Sequence, residues 1–88
     1  MKNLFLVSAL DFFDNQIFNT WITHDSKVGA LLYWLEDHRW ENIPDVEGLP
    51  EDDALDRLYE YAFNSDWVLQ VEKVPETYDR TSISMYSV

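Results

Sequence analysis

The sequence predicts an α+β fold: a small antiparallel sheet of three or four strands with two helices on one face. Three observations predict it. The first two dozen residues are apolar with stretches of period two, the middle carries two stripes of helical period, and the alternation returns after Asp66. Runs of strands flanking a pair of helices give the order β-β-α-α-β and place the helices together on one side of the sheet.

Asn3 to Phe13 is rich in Leu, Phe and Val and suits a strand. Asp14, Asn15 and Gln16 supply turn residues. From Ile17 to Thr23 the chain alternates, with Ile17, Asn19, Trp21 and Thr23 on one face and Phe18, Thr20 and Ile22 on the other. Two strands joined by so short a turn form an antiparallel hairpin. Asp25 or Ser26 can cap the first helix. Val28, Leu31, Leu32 and Leu35 then follow the i, i+3, i+4, i+7 spacing of an apolar stripe. Gly29 weakens this helix slightly. Its expected end near Arg39 or Trp40 sets His38 and Arg39 beside the negative pole of the helix.

Asn42 to Leu49 reads as a loop containing Pro44 and Gly48. Pro50 fits the first position of a second helix, because its missing N–H has no partner there in any case. Leu55, Leu58 and Ala62 form the core face of that helix, with Tyr59 or Tyr61 at its edge. Asn64, Ser65 and Asp66 break it, Trp67 to Val74 forms a third strand, and Pro75 ends the strand. Leu31, Leu35, Leu55, Leu58, Leu69 and Val71 are the expected core. In residues 76–88, Ile83 and Met85 alternate with serines, a pattern that fits a fourth, edge strand and a flexible tail equally well. There are no repeats and no linker, so residues 1–88 read as a single domain.

A domain of 88 residues buries only about 60–65% of its unfolded surface, so its core must be rich. The sequence meets that need with 47% hydrophobic residues, among them four Trp, five Tyr and five Phe. Seventeen acidic residues against six basic ones give a net charge of −11. A chain so charged repels nucleic acid and anionic membranes and is drawn to basic protein surfaces. Without cysteine it forms neither disulfides nor thiolate metal sites, which suits a reducing cytoplasm. The start, MKNLFLVSAL, has the look of a short signal peptide. Asp11 ends the apolar run early, however, and no small-residue cleavage site follows, so it reads as a buried strand. No run approaches the ~20 apolar residues of a membrane-spanning helix.

The segment DVEGLPEDDALDRLYE, residues 45–60, holds seven acidic residues among sixteen and a single basic one, Arg57. Glu51, Asp52 and Asp53 fall in the first turn of the second helix, where the helix dipole favours negative charge by ~0.3–1 kcal/mol each. Stability does not explain the others. Asp52, Asp56 and Glu60 are spaced four apart, and like charges at that spacing cost a few tenths of a kcal/mol per pair. Asp45 and Glu47 add charge in the preceding loop, and Glu36, Asp37 and Glu41 add more after the first helix. Carboxylates one helical turn apart lie ~5.4 Å from each other. That is comparable to the spacing of phosphates along a nucleic-acid strand, so the row fits a basic groove built for DNA or RNA. Asp45, Glu47, Asp52, Asp56, Tyr59 and Glu60 are therefore the expected partner-binding residues. Trp40, Tyr59 and Tyr61 could add apolar anchors at the rim.

No catalytic, cofactor or metal-binding set is expected. His24 and His38 lie at opposite ends of the first helix and cannot share a metal within one chain. Asp45 and Glu47 do not match a calcium loop. An exposed acidic row is no sheltered pocket for acid–base catalysis. Aromatic residues without interleaved Lys or Arg are no nucleic-acid-binding signature.

In size, charge and layout the chain resembles the small acidic inhibitors encoded by phages and mobile elements: anti-CRISPR, antirestriction and uracil-DNA glycosylase inhibitor proteins. The run DVEGLPEDDALDRLYE and the two-stranded start before an acidic helix carry the likeness. These proteins share no common motif, so no residue role is transferred. The resemblance implies a stoichiometric inhibitor of DNA-mimic type. It would block the basic nucleic-acid groove of a CRISPR effector or restriction enzyme in the host cytoplasm. From a different class, the sequence also fits a small adaptor or structural protein that assembles through an aromatic surface, as a homodimer for example, with its charge serving solubility.

Overall fold

The computed structural model describes residues 2–75, so residues 76–88, the expected edge strand or tail, lie outside the described residues. The elements follow the expected order: β1 (Asn3–Asp11), β2 (Gln16–His24), α1 (Lys27–Asp37), α2 (Glu51–Phe63) and β3 (Trp67–Lys73). The strands form one antiparallel sheet in the order β2-β1-β3. β1 and β2 pair without a bulge from Asn3 opposite His24 to Asp11 opposite Gln16. β3 returns along the other side of β1, from Phe5 opposite Lys73 to Asp11 opposite Trp67.

The period of two decides which sheet face is covered. Phe5, Val7 and Ala9 of β1, Ile22 of β2, and Leu69 and Val71 of β3 point to one face and are buried there. Ala30, Leu31, Trp34 and Leu35 of α1, and Ala54, Leu55, Leu58 and Ala62 of α2, close over them. All six residues expected in the core are buried, none more than 8% exposed. The opposite sheet face carries Leu4, Leu6 and Leu10 of β1, Ile17 and Trp21 of β2, and Val68 of β3. Neither helix covers it: Ile17 is 70% exposed, and Trp21 and Val68 are each 43% exposed.

Element ends differ from the sequence expectation for local reasons. β1 stops at Asp11 rather than Phe13. The Asp11 carboxylate accepts hydrogen bonds from the backbone N–H groups of Phe13 (3.1 Å) and Asp14 (3.3 Å), which bends the chain into a turn. Asn15 closes that turn with a positive φ of 55°, a conformation Asn tolerates well. α1 begins with Ser26 as its cap, whose hydroxyl accepts from Gly29 N–H at 3.0 Å. It ends at Asp37, before Arg39 and Trp40. Arg39 turns left-handed, with φ of 58°. Its N–H donates to Glu36 O, and the N–H of Trp40 reaches back to Leu35 O, both at 3.0 Å. This paired closure satisfies the last helical carbonyls and folds Trp40 back beneath the helix. The His38 ring, at the same end, hydrogen-bonds Trp34 O through Nδ1 at 2.8 Å. Pro50 sits just before α2 rather than at its first position: its ψ of 152° is extended, while its carbonyl accepts from Ala54 N–H. The third strand ends at Lys73, although Val74 N–H still donates to Leu4 O at 2.9 Å.

Candidate partner-binding surface

All of the acidic residues singled out in the sequence are exposed: Glu36, Asp37, Glu41, Asp45, Glu47, Glu51, Asp52, Asp53, Asp56 and Glu60. They belong to the helical layer and its connecting loop. The loop from residue 38 to residue 50 holds its shape because Val46 is buried, 6% exposed, against the core. The Asp45 carboxylate also accepts Glu47 N–H at 3.0 Å, fixing the approach to Gly48, whose φ is 82°. A positive φ there strains any residue with a β-carbon, so glycine fits the turn.

This loop and the start of α1 enclose an open cleft of about 620 Å³. Val28, Leu32, Ile43 and Leu49 give it an apolar floor, and the carboxylates of Glu36, Asp45, Glu47 and Glu51 stand among its lining residues. From Glu51 the acidic row continues along α2 through Asp52 and Asp56 to Glu60. Glu60 and Tyr59 then line a second, smaller groove of about 360 Å³ with Phe63, Trp67, Val68 and Leu69. The six expected partner-binding residues therefore fall in three places. Asp45 and Glu47 border the cleft, Asp52 and Asp56 stand on the helix beyond it, and Tyr59 and Glu60 lie by the far groove.

The aromatic residues expected at the rim are partly exposed and are also tied to the fold. The Tyr59 hydroxyl accepts Val71 N–H at 3.2 Å, on the outer edge of β3. Burial pushes the Tyr59 phenol above its ordinary pKa. The Val71 hydrogen bond opposes that shift, and the charges of Asp56 and Glu72 add to it. The Tyr61 hydroxyl donates to Glu41 O, and its pKa is raised by burial and by the Glu41 charge. Trp40 packs its half-buried ring, tilted or edge-on, among Trp34, Trp67 and Tyr61, with centroids 6.1, 5.6 and 5.6 Å away. Rings this large and this close gain more from one another and from the core than from water.

Sequence reasoning missed the apolar floor of the cleft. Its signal was a run of Ile43, Val46 and Leu49 at every third position of a loop, too regular for a solvated connection. It also assigned Glu51 to the helix dipole alone, whereas Glu51 lines the cleft as well. Among the described residues no group of three or more His, Cys, Asp or Glu side chains is placed to hold a metal ion. Among them, too, no helix is long and apolar enough to cross a membrane. Comparison with protein-family models, with curated proteins and with solved structures finds no match for this chain. The class stands on the fold and the surface alone: a small α+β domain with an acidic helical side and, among the described residues, one sheet face that no helix covers.

Proposed function

We propose that this protein is a stoichiometric inhibitor of a host nucleic-acid-handling protein, of the CRISPR-effector or restriction type. Its acidic helical side occupies the basic groove that otherwise holds DNA or RNA. The observation that carries the reading is the continuity of the carboxylates. They run from the rim of an apolar-floored cleft, at Asp45, Glu47 and Glu51, along α2 through Asp52 and Asp56 to Glu60. Such a row presents a basic groove with regularly spaced negative charge, as a phosphate backbone does. The cleft floor offers a place for an apolar side chain of the partner, so binding need not rest on charge alone. No catalysis is required, and a chain without cysteine suits a reducing host cytoplasm.

The test is affinity capture from host extract at low and high salt, followed by mass spectrometry. Capture with a variant carrying Asp52→Asn, Asp56→Asn and Glu60→Gln runs beside it. A nucleic-acid-binding partner should be retained at low salt and released at high salt. The triple variant should keep its fold, because like-charge pairs are relieved. It should bind at least about tenfold more weakly, roughly 1.4 kcal/mol. Unchanged affinity in the folded triple variant would remove α2 from the mechanism.

A further inference from the structure

We propose that the free edge of β2 is an interface between two copies of this chain, joined as one continuous six-stranded sheet. With the order β2-β1-β3, no described residue pairs with the outer edge of β2 or of β3. The two edges are treated differently. On β3, Tyr59 caps the outward N–H of Val71, Glu72 and Lys73 bring charge, and Pro75 stands two residues past the strand end. β2 has none of these devices. Gln16–His24 contains no Asp, Glu, Lys, Arg or Pro, it pairs with β1 over nine residues without a bulge, and it leaves Ile17, Phe18 and Trp21 exposed. Natural proteins blunt such edges unless the edge has a partner.

The hydrogen-bond alternation says which groups are free. Leu4 O accepts from Val74, and Phe12 N–H donates to Asp66 O, so the even-numbered residues of β1 face β3. The odd-numbered ones therefore face β2 and engage its even-numbered residues. That leaves the N–H and C=O groups of Ile17, Asn19, Trp21 and Thr23 pointing outward.

A second copy fits this edge for two reasons. First, the edge is self-complementary. A two-fold axis at Thr20 sets Ile17 against Thr23 and Asn19 against Trp21 of the second copy, matching free groups with free groups. Second, the net charge of −11 opposes self-association through most other surfaces. The acidic residues from Glu36 to Glu60 belong to the helical layer and its connecting loop, and among the described strand residues of the open sheet face only Glu72 of β3 is charged. In the register centred on Thr20, Asp14 and Asp25 meet Ser26 and Asn15 rather than each other. A two-fold axis normal to the sheet keeps both pairs of helices on one side. It also merges the two sheet faces that no helix covers into a single apolar surface, with the two Trp21 residues flanking the axis.

The test is sedimentation equilibrium of the full chain over a range of concentration, at low and high salt. A concentration-dependent dimer of twice 10.5 kDa is expected. It should tighten as salt screens the repulsion between copies, opposite to the salt response of the acidic side. Asn19→Pro removes one outward N–H without touching the β1 ladder. Trp21→Glu places like charges beside the axis. Each variant, shown by circular dichroism to be folded, should weaken dimerisation at least tenfold. The variant with Asp52→Asn, Asp56→Asn and Glu60→Gln should dimerise at least as well as the native chain, so loss of partner capture and loss of self-association are separable. A chain that stays monomeric at high salt overturns the proposal. So does a dimer that survives Trp21→Glu undiminished, whether or not Asn19→Pro folds.

Discussion

Leu58→Ala tests whether α2 faces the way the acidic surface requires. Leu58 has no exposed surface and sits between Leu55 and Ala62 on the buried side of α2, in the same core cluster as Leu69 and Val71 of the sheet. Truncation removes about three buried carbon groups, worth ~0.8 kcal/mol each, or ~2.4 kcal/mol of transfer energy. If packing closes only partly and leaves a void of roughly 50 Å³, the cavity adds ~1.2 kcal/mol. The sum is about 3.5 kcal/mol, a large share of the ~5–15 kcal/mol that holds a domain together. For a domain of this size each kcal/mol moves the melting midpoint by ~4–8 °C, so the midpoint should fall by about 14–28 °C. Asp56→Asn, two residues away on the exposed side, should stay within ~0.5 kcal/mol, as surface changes do. Thermal melts followed by circular dichroism measure both. A Leu58→Ala melt within a few degrees of the native one, with a collapsed Asp56→Asn, would reverse the orientation of α2. The acidic binding surface would be withdrawn with it.

Three further outcomes rest on Tyr59 and Ser26. Tyr59→Phe takes the acceptor from Val71 N–H and should cost about 0.5–1.5 kcal/mol, with faster hydrogen exchange at the Val71 amide as its local signature. The same side chain sets an alkaline limit. The folded state holds the Tyr59 proton above the ordinary phenol value, so the unfolded chain ionises first as pH rises. Stability should then decline from about pH 10 upward, a decline that denaturant titration should find shallower in Tyr59→Phe. Ser26→Ala deletes the hydroxyl that caps α1 and should cost about 1 kcal/mol in the same melts.

The fold was legible because most segments obey one period. Val28, Leu31 and Leu35 could only share a helix face, and the alternation of Trp67, Leu69 and Val71 could only line one side of a strand. Element ends were less legible because they depend on single hydrogen bonds. Asp11 read as the polar end of an apolar run, yet its carboxylate ends the strand by capping Phe13 and Asp14. Arg39 read as a charge for the helix terminus, yet its left-handed backbone is what stops the helix. On the candidate surface, the exposure of Asp52, Asp56 and Glu60 follows directly from their offset from Leu55, Leu58 and Ala62. Tyr59 was harder to place. A tyrosine at the edge of a helix stripe points equally well to a partner or to a strand edge, and only the position of β3 relative to α2 decides between them. The strand order was hidden for a similar reason, since nothing local records whether β3 lands beside β1 or β2.

That strand order bears on how the chain reaches its fold. β1 is made first and ends in the middle, so its inner ladder stays half-filled until Trp67–Lys73 emerges. The hairpin can close early, being local. Pairing β1 with β3 must instead gather the whole intervening chain, and that loop-closure entropy is met late. Trp67 arrives in the same step, and with it the contacts that close the rings of Trp34, Trp40 and Phe18 into one cluster. During synthesis the hairpin and both helices are present without the piece that locks them. The final strand therefore completes the sheet and the aromatic core in one cooperative event, and a chain cut short before Trp67 has neither.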